Sequence, residues 1–294
     1  MMRTLSLRSI ISLIVVVLLL VVGCSSGTTD TTTTTTQPSA TTVTVTTTLP
    51  STTTTATPTT TTEPIGLASP PESVLFVGNS LTYANGGVDY HFERLAESTD
   101  PPFTVEIDAI TESGRTLEVQ WFFISRDGSI TDGGYDAVVL QDYIAATDLA
   151  TFDEHARLFV EHTRDTGAEP VFFMSWPNSD LGIGAMEEID QAYSDIVSEL
   201  DIHVAPVGLA FQRAMNERPE IDVYAPDGDH PSLYGTYLAA NVIYATIYGE
   251  NSKSAAYTCQ DCSTPSFPNG LAQDEAEFLQ RIAWETVEEY QQQH

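Results

Sequence analysis

Basic residues are scarce in this chain of 294 residues. It has 11 lysines and arginines against 41 acidic residues, and its only lysine is Lys253. The formal net charge is −30. Nucleic-acid binding depends on basic side chains that neutralise phosphates, so this charge excludes nucleic acid as a partner. The same field repels anionic polymers and favours a well-solvated surface.

Long apolar runs are also rare, and the one at the N-terminus is short. Arg3 and Arg8 precede a largely apolar run from Ile10 to Val22, which is shorter than the roughly 20 residues of a membrane-spanning helix. A basic start followed by such a run is typical of an export signal. Its end, Gly23-Cys24, resembles the bacterial lipobox. The resemblance implies that residues 1–23 are removed and that Cys24 carries a lipid.

We therefore expect an extracytoplasmic protein that is anchored to a bacterial membrane through Cys24. An ordinary secretory signal is the alternative. Removal of the signal takes away two arginines and no acidic residue, so the net charge of the mature chain becomes −30 − 2 = −32. Residues 24–64 are mostly threonine with serine, proline and alanine, and such a composition cannot bury a core. We predict a disordered tether there.

Cysteine is the third scarcity. Beyond Cys24 the chain has Cys259 and Cys262, in Cys-x-x-Cys spacing. Outside the cytoplasm such a pair is usually oxidised. A zinc site would need two further ligands, and no second cysteine or histidine pair lies at ligand spacing near them in the sequence. We predict a disulfide rather than a metal site for this pair.

Residues 65–294 alternate short apolar runs with helical patterns, which predicts one α/β domain with a parallel sheet covered on both faces. The predicted helices follow strands throughout this part of the chain. The predicted strands are Ser73–Val77, Phe103–Ile110, Asp136–Leu140, Pro170–Met174 and His203–Val207.

Two short motifs carry the chemistry. Ser80 follows the first predicted strand, and Asp227 and His230 lie before a late helix. A serine hydroxyl becomes a nucleophile when a neutral imidazole accepts its proton, and a carboxylate on the other ring nitrogen fixes the tautomer. Taken alone, the Gly-x-Ser motif at Ser80 favours a turn residue or helix cap, and His230 fits an exposed loop residue.

Two further residues follow the second and third strands. Ligands of open parallel sheets bind beyond the carboxyl ends of the strands. Backbone N–H groups near Ser80 and Gly114, with the side-chain amide of Gln141, are the candidate oxyanion hole. Trp176 follows the fourth strand and is a candidate substrate contact, with core packing as the alternative.

Together these motifs resemble the SGNH, or GDSL-like, serine hydrolases. The family's Gly-Asp-Ser-Leu block appears as Gly78–Leu81, its lone glycine as Gly114, and its Asp-x-x-His block as Asp227–His230. The third block departs, because Gln141 stands where the family usually has an asparagine. The resemblance implies a three-layer, flavodoxin-like α/β/α fold with five parallel strands and a Ser80–His230–Asp227 triad. It also implies a reaction that uses no metal and no organic cofactor.

The activity that the resemblance implies is hydrolysis of acyl esters. We expect short acyl groups such as acetyl, on a small-molecule or carbohydrate ester. Two alternatives remain open at this stage. One is a lipid or lysophospholipid esterase, suggested by the anchor, and the other is an inactive surface-binding lipoprotein, suggested by Gln141.

Overall fold

The computed structural model describes residues 65–181, 183–262 and 267–294. The predicted signal, the tether and Cys24 lie outside the described residues, so their assignments stay predictions. Within the described ranges, no helix combines the length and the apolar character needed to cross a membrane.

A five-stranded, all-parallel sheet forms the centre of the fold, as the sequence predicts. Its strand order is β2-β1-β3-β4-β5, the order of flavodoxin-like folds. The first strand, β1, pairs with β2 on one side and with β3 on the other. The strands are β1 (Ser73–Gly78), β2 (Glu106–Thr111), β3 (Ala137–Gln141), β4 (Glu169–Phe173) and β5 (His203–Ala205).

Helices cover both faces of the sheet. They are α1 (Ser80–Tyr83), α2 (Val88–Ser98), α3 (Leu117–Asp127), α4 (Leu149–Arg164), α5 (Ile183–Leu200), α6 (Val207–Glu217), α7 (Leu233–Tyr248) and α8 (Gln273–Gln293). Alternate side chains of a strand point to opposite faces. Val74 and Phe76 of β1 accordingly pack with α2, α6, α7 and α8, whereas Leu75 and Val77 pack with α3, α4 and α5. The result is the predicted three-layer arrangement.

Two strand boundaries differ from the prediction by more than one residue. The strand predicted from Phe103 begins at Glu106, after the adjacent prolines Pro101 and Pro102, which have no N–H to donate to a sheet. The strand predicted to reach Val207 ends at Ala205, because Val207 already begins α6. When a strand and the next helix share one apolar run, no residue within the run shows where the strand ends and the helix begins.

The sheet order determines where a ligand site is expected. The chain leaves β1 toward β2 on one side, while β3, β4 and β5 lie on the other, so the carboxyl ends of β1 and β3 flank the point where the order reverses. Crevices at such switch points bind ligands in open α/β sheets. Ser80 follows β1 after one intervening residue, Asn79, and Gln141 is the last residue of β3.

Candidate active site

The turn between β1 and α1 presents Ser80 at the first helical position. Asn79 caps α1, because its side-chain oxygen accepts the N–H of Leu81 at 2.9 Å. Gly78 is required by close packing, since a Cβ there would lie 2.2 Å from Thr82 Oγ1 and 2.9 Å from Gln141 Oε1. Ser80 is thus held on a tight, well-packed turn.

The loop before α7 brings His230 and Asp227 to that serine. His230 Nε2 lies 2.9 Å from Ser80 Oγ, and His230 Nδ1 lies 2.8 Å from Asp227 Oδ2. A carboxylate can only accept, so Nδ1 carries the proton and Nε2 is free to accept the serine proton. The three residues therefore have the contacts of a Ser–His–Asp triad.

Asp227 is held in its charged form by local hydrogen bonds. The backbone N–H of Asp229, the His230 side chain and the backbone N–H of His230 lower the pKa of Asp227 below its ordinary value. Those N–H groups donate to Oδ1 at 3.1 and 3.0 Å, which leaves Oδ2 for the imidazole. The side chains of Asp227 and His230 are 54% and 37% exposed, so this is an open site.

Asp229 is a second carboxylate near the imidazole, and its position is held from two sides. Its Oδ2 lies 4.0 Å from His230 Nδ1 and accepts the hydroxyl of Tyr143 at 2.9 Å. The indole N–H of Trp176 donates to the Asp229 carbonyl at 2.9 Å. Neither Tyr143 nor Asp229 was predicted to belong to the site.

Trp176 itself lies in the core. It is 2% exposed and stacks on Phe211, with ring centroids 3.9 Å apart. This position matches the core-packing alternative and leaves almost none of the indole to contact a substrate. Its contribution to the site is the hydrogen bond that holds the loop of His230.

Two backbone N–H groups are candidate donors for an oxyanion. Within the described part of the chain, neither the N–H of Ser80 nor that of Gly114 donates a hydrogen bond to the protein. Gly114 lies in the loop between β2 and α3 with φ +67°, a conformation that favours glycine. The Asn79 side chain ties this loop to the nucleophile turn by donating to the Arg115 carbonyl at 2.9 Å.

Gln141 is placed differently from the expected oxyanion donor. It is fully buried, and its Oε1 accepts the Asn79 N–H at 3.0 Å and the Thr82 hydroxyl at 3.1 Å. Its amide nitrogen donates to the carbonyl of Asp142. The side chain thus braces the turn that carries Ser80, and we interpret it as a positioning residue.

We expect Gln141→Ala to lower both stability and turnover. Loss of Oε1 leaves two buried donors unpaired, at a cost of roughly 1–3 kcal/mol each. Misplacement of a reacting group by about 1 Å costs on the order of 10²-fold in rate. Thermal melts and kcat for p-nitrophenyl acetate measure the two effects.

Gln280→Ala is the matched control, because Gln280 is another buried glutamine, in α8, that donates to Tyr237 Oη. It should lower the melting temperature and leave kcat unchanged. A Gln141→Ala protein with an unchanged melting temperature and a lower kcat would instead identify an oxyanion donor.

Asp142 is a buried acidic residue that directly follows Gln141, the last residue of β3. One of its oxygens accepts the N–H of Leu117, the first residue of α3, at 2.5 Å. Burial raises the pKa of Asp142, and the hydrogen bond from Leu117 opposes that rise. Ionisation is thus harder in the folded state, so stability decreases as pH rises from the ordinary pKa of about 3.9 through the raised one.

We expect Asp142→Asn to raise the melting temperature at pH 7, because asparagine keeps an oxygen for Leu117 and has no charge. The gain should vanish at about pH 4 and below, where both proteins are uncharged at this position. Melts from pH 3.5 to 8 test this, with the exposed Asp165→Asn as control. A lower melting temperature for Asp142→Asn at pH 7 would show that the charged form is the stabilising one.

The described residues form a three-layer, flavodoxin-like α/β/α fold, with Ser80, His230 and Asp227 in contact at the switch point of the sheet. No protein-family model matches the chain, and no curated protein sequence matches it. Solved structures do match.

A DUF4886-family protein from Bacteroides uniformis superposes with a TM-score of 0.55 at 17% identity, over 73% of this chain and 94% of its own. A variant of Axe2, an acetyl-xylooligosaccharide esterase from Geobacillus stearothermophilus, gives 0.53 at 16% identity, over 65% and 98%. A putative GDSL-like lipase from Parabacteroides merdae gives 0.50 at 15%, over 59% and 94%. At these identities the likeness is one of fold, and the predicted fold class is confirmed.

Proposed function

We propose that this protein is a serine esterase that hydrolyses acyl esters through Ser80, His230 and Asp227. The observation that carries the proposal is the pair of contacts on His230, at 2.9 Å to Ser80 Oγ and 2.8 Å to Asp227 Oδ2. The fold shared with an acetyl-xylooligosaccharide esterase supports the reaction class.

The proposed reaction has two steps. Ser80 Oγ attacks the ester carbonyl while His230 Nε2 takes the serine proton, and Asp227 stabilises the resulting imidazolium. The N–H groups of Ser80 and Gly114 bind the oxyanion. The imidazolium then gives its proton to the departing alcohol, which leaves an acyl group on Ser80. Water, activated by the same imidazole, releases the acid.

We further propose a short acyl group, such as acetyl, on a neutral carbohydrate or other polar alcohol. Two observations support this choice. The catalytic imidazole is 37% exposed, which suits a polar, solvated alcohol. The net charge of −30 disfavours an anionic alcohol or anionic lipid surface as the substrate.

The test is covalent labelling combined with turnover. The purified chain is incubated with a fluorophosphonate and analysed by mass spectrometry, alongside assays with p-nitrophenyl acetate, p-nitrophenyl palmitate and acetylated xylo-oligosaccharides. We expect one adduct on Ser80 and a kcat/KM that falls from acetate to palmitate. No adduct and no turnover would contradict the esterase and favour the binding-protein alternative, whereas faster palmitate turnover would favour the lipid esterase.

For localisation, we propose that Cys24 anchors the protein to a bacterial membrane outside the cytoplasm. The support is the sequence around Gly23-Cys24. We expect Cys24→Ser to move the protein from the membrane fraction to the soluble fraction, as followed by immunoblotting. Retention in the membrane fraction would contradict a lipid anchor at this residue.

A further inference from the structure

A cluster of metal-ligating atoms lies outside the active site, where α2 meets the segment before α8. Cys259 and Cys262 form a disulfide there, and His91 of α2 packs against it. His91 Nδ1 lies 3.9 Å from the Sγ atoms of both cysteines. His91 and Cys259 are 1% and 0% exposed, and Cys262 is partly buried.

The hydrogen bonds of His91 determine which ring nitrogen faces the sulfurs unprotonated. His91 Nε2 lies 3.1 Å from the carbonyl oxygen of Asn85, which can only accept, so Nε2 carries the proton. Nδ1 therefore has a free lone pair, and the hydroxyl of Tyr257 donates to it at 2.8 Å. Metal-binding histidines have this arrangement, with one nitrogen free and the other donating to a carbonyl or carboxylate.

The carbonyl that orients His91 is itself firmly held. The side-chain amide of Asn85 donates to the Pro231 carbonyl at 2.9 Å and to Thr236 Oγ1 at 2.8 Å. A metal-binding histidine loses little freedom on binding a cation when the group that accepts its N–H is fixed in this way. The orientation of the His91 ring is thus set before a cation binds.

The dimensions of the cluster suit one small cation. The candidate ligand atoms of His91, Cys259 and Cys262 all lie within 4.8 Å of one another. A tetrahedral zinc ion, with bonds of about 2.3 Å to sulfur and 2.0 Å to nitrogen, separates its ligand atoms by about 3.5–3.8 Å. We propose that the reduced cysteine pair and His91 form a site for one thiolate-preferring cation, Zn²⁺ or Cu⁺, as an alternative to the disulfide.

The disulfide is reduced first, and the cation binds afterwards. A dithiol reductant supplies two electrons and two protons and becomes a disulfide, while the S–S bond of Cys259 and Cys262 breaks and gives two thiols. The cation then displaces both thiol protons to solvent and binds both sulfurs and Nδ1. In the disulfide form the Tyr257 hydroxyl lies 3.1 Å from Cys262 Sγ. In the proposed cation-bound form this hydroxyl turns away from His91 Nδ1, and water is the fourth ligand of the cation.

Zinc binding tests the site independently of esterase activity. The full chain carrying Cys24→Ser, so that Cys259 and Cys262 are its only cysteines, is prepared with the pair reduced and with the pair oxidised. A chromogenic chelator competes for Zn²⁺, and X-ray absorption reports the ligands. We expect one Zn²⁺ per reduced chain, bound by two sulfurs and one imidazole, and none per oxidised chain.

His91→Gln is the discriminating variant, because its amide can still donate to Asn85 while the free imidazole nitrogen is lost. This variant should weaken Zn²⁺ binding by about tenfold or more, since loss of a group that merely hydrogen-bonds to a metal ligand already lowers metal affinity by about 10–100-fold. His155→Gln, a histidine in α4, is the matched control and should not change binding. Circular dichroism confirms folding of each variant.

Three results would overturn the proposal. One is a reduced wild-type chain that binds no Zn²⁺. Another is unchanged affinity in the folded His91→Gln variant, which would leave the two cysteines as the binding residues without the histidine. The third is a cysteine pair that is reduced only when the chain unfolds, because the cation site requires a folded dithiol state.

Discussion

Ser80→Ala and His230→Ala are each expected to reduce kcat for p-nitrophenyl acetate by roughly 10⁴- to 10⁶-fold, and the double variant should lose no more than the single ones. The reason is their 2.9 Å contact, since the serine oxygen is a weak nucleophile without the imidazole and the imidazole has no proton to take without the serine. Residues that act as one unit do not contribute additively.

Matched substitutions separate this effect from a general disturbance of the fold. Ser198 lies on the exposed side of α5, and His155 lies in α4, where its Nδ1 bonds to the Thr151 carbonyl. Ser198→Ala and His155→Ala should keep kcat within a few-fold of wild type. Small losses from Ser80→Ala and His230→Ala that add in the double variant would contradict the triad.

The central strands could be predicted from the sequence because they are buried on both faces. Val74–Val77 of β1 and Ala137–Gln141 of β3 are continuous buried runs, which stand out against the polar segments beside them. The strand β2 lies at an edge and is largely exposed, so its start was placed too early. Strand order depends on pairing between distant segments, and the sequence predicted it only through the resemblance to a known fold.

The part of the site that short sequence motifs contain could be predicted from the sequence. Asp227 and His230 are three positions apart, so one loop can bring them together. Their contact with Ser80, 150 positions away, was an inference from strand ends and family resemblance, and the structure has that contact.

The direction of a side chain was the part that the sequence could not provide. Gln141 ends β3 as expected, yet its amide faces the buried side of the Ser80 turn instead of the cleft. The contact of His91 with the Cys259–Cys262 loop was not predicted, because packing of α2 against that loop joins segments that are far apart in the sequence. Neither the orientation of the Gln141 amide nor the contact of His91 can be predicted from residue spacing.

Asp227 and Asp229, both in the loop before α7, are expected to differ sharply in their effect on catalysis. Asp227→Asn should lower kcat by about 10⁴-fold, because an amide at Oδ2 presents a donor to Nδ1 and favours the tautomer that cannot accept the proton of Ser80. Asp229→Asn should lower it by no more than a few-fold. Asp229 lies 4.0 Å from Nδ1, and its nearer oxygen is already bonded to Tyr143.

These two variants are matched in charge, size and position. The ratio of their kcat values therefore separates the effect of the 2.8 Å hydrogen bond between Asp227 and His230 from the effect of negative charge near the imidazole. Both substitutions remove one negative charge near the imidazole, and a purely electrostatic role would make their effects similar. Measurement of kcat across pH 5–9 distinguishes the cases. Equal losses in the two variants would assign the contribution to charge, whereas a large loss in Asp227→Asn alone would assign it to control of the His230 tautomer.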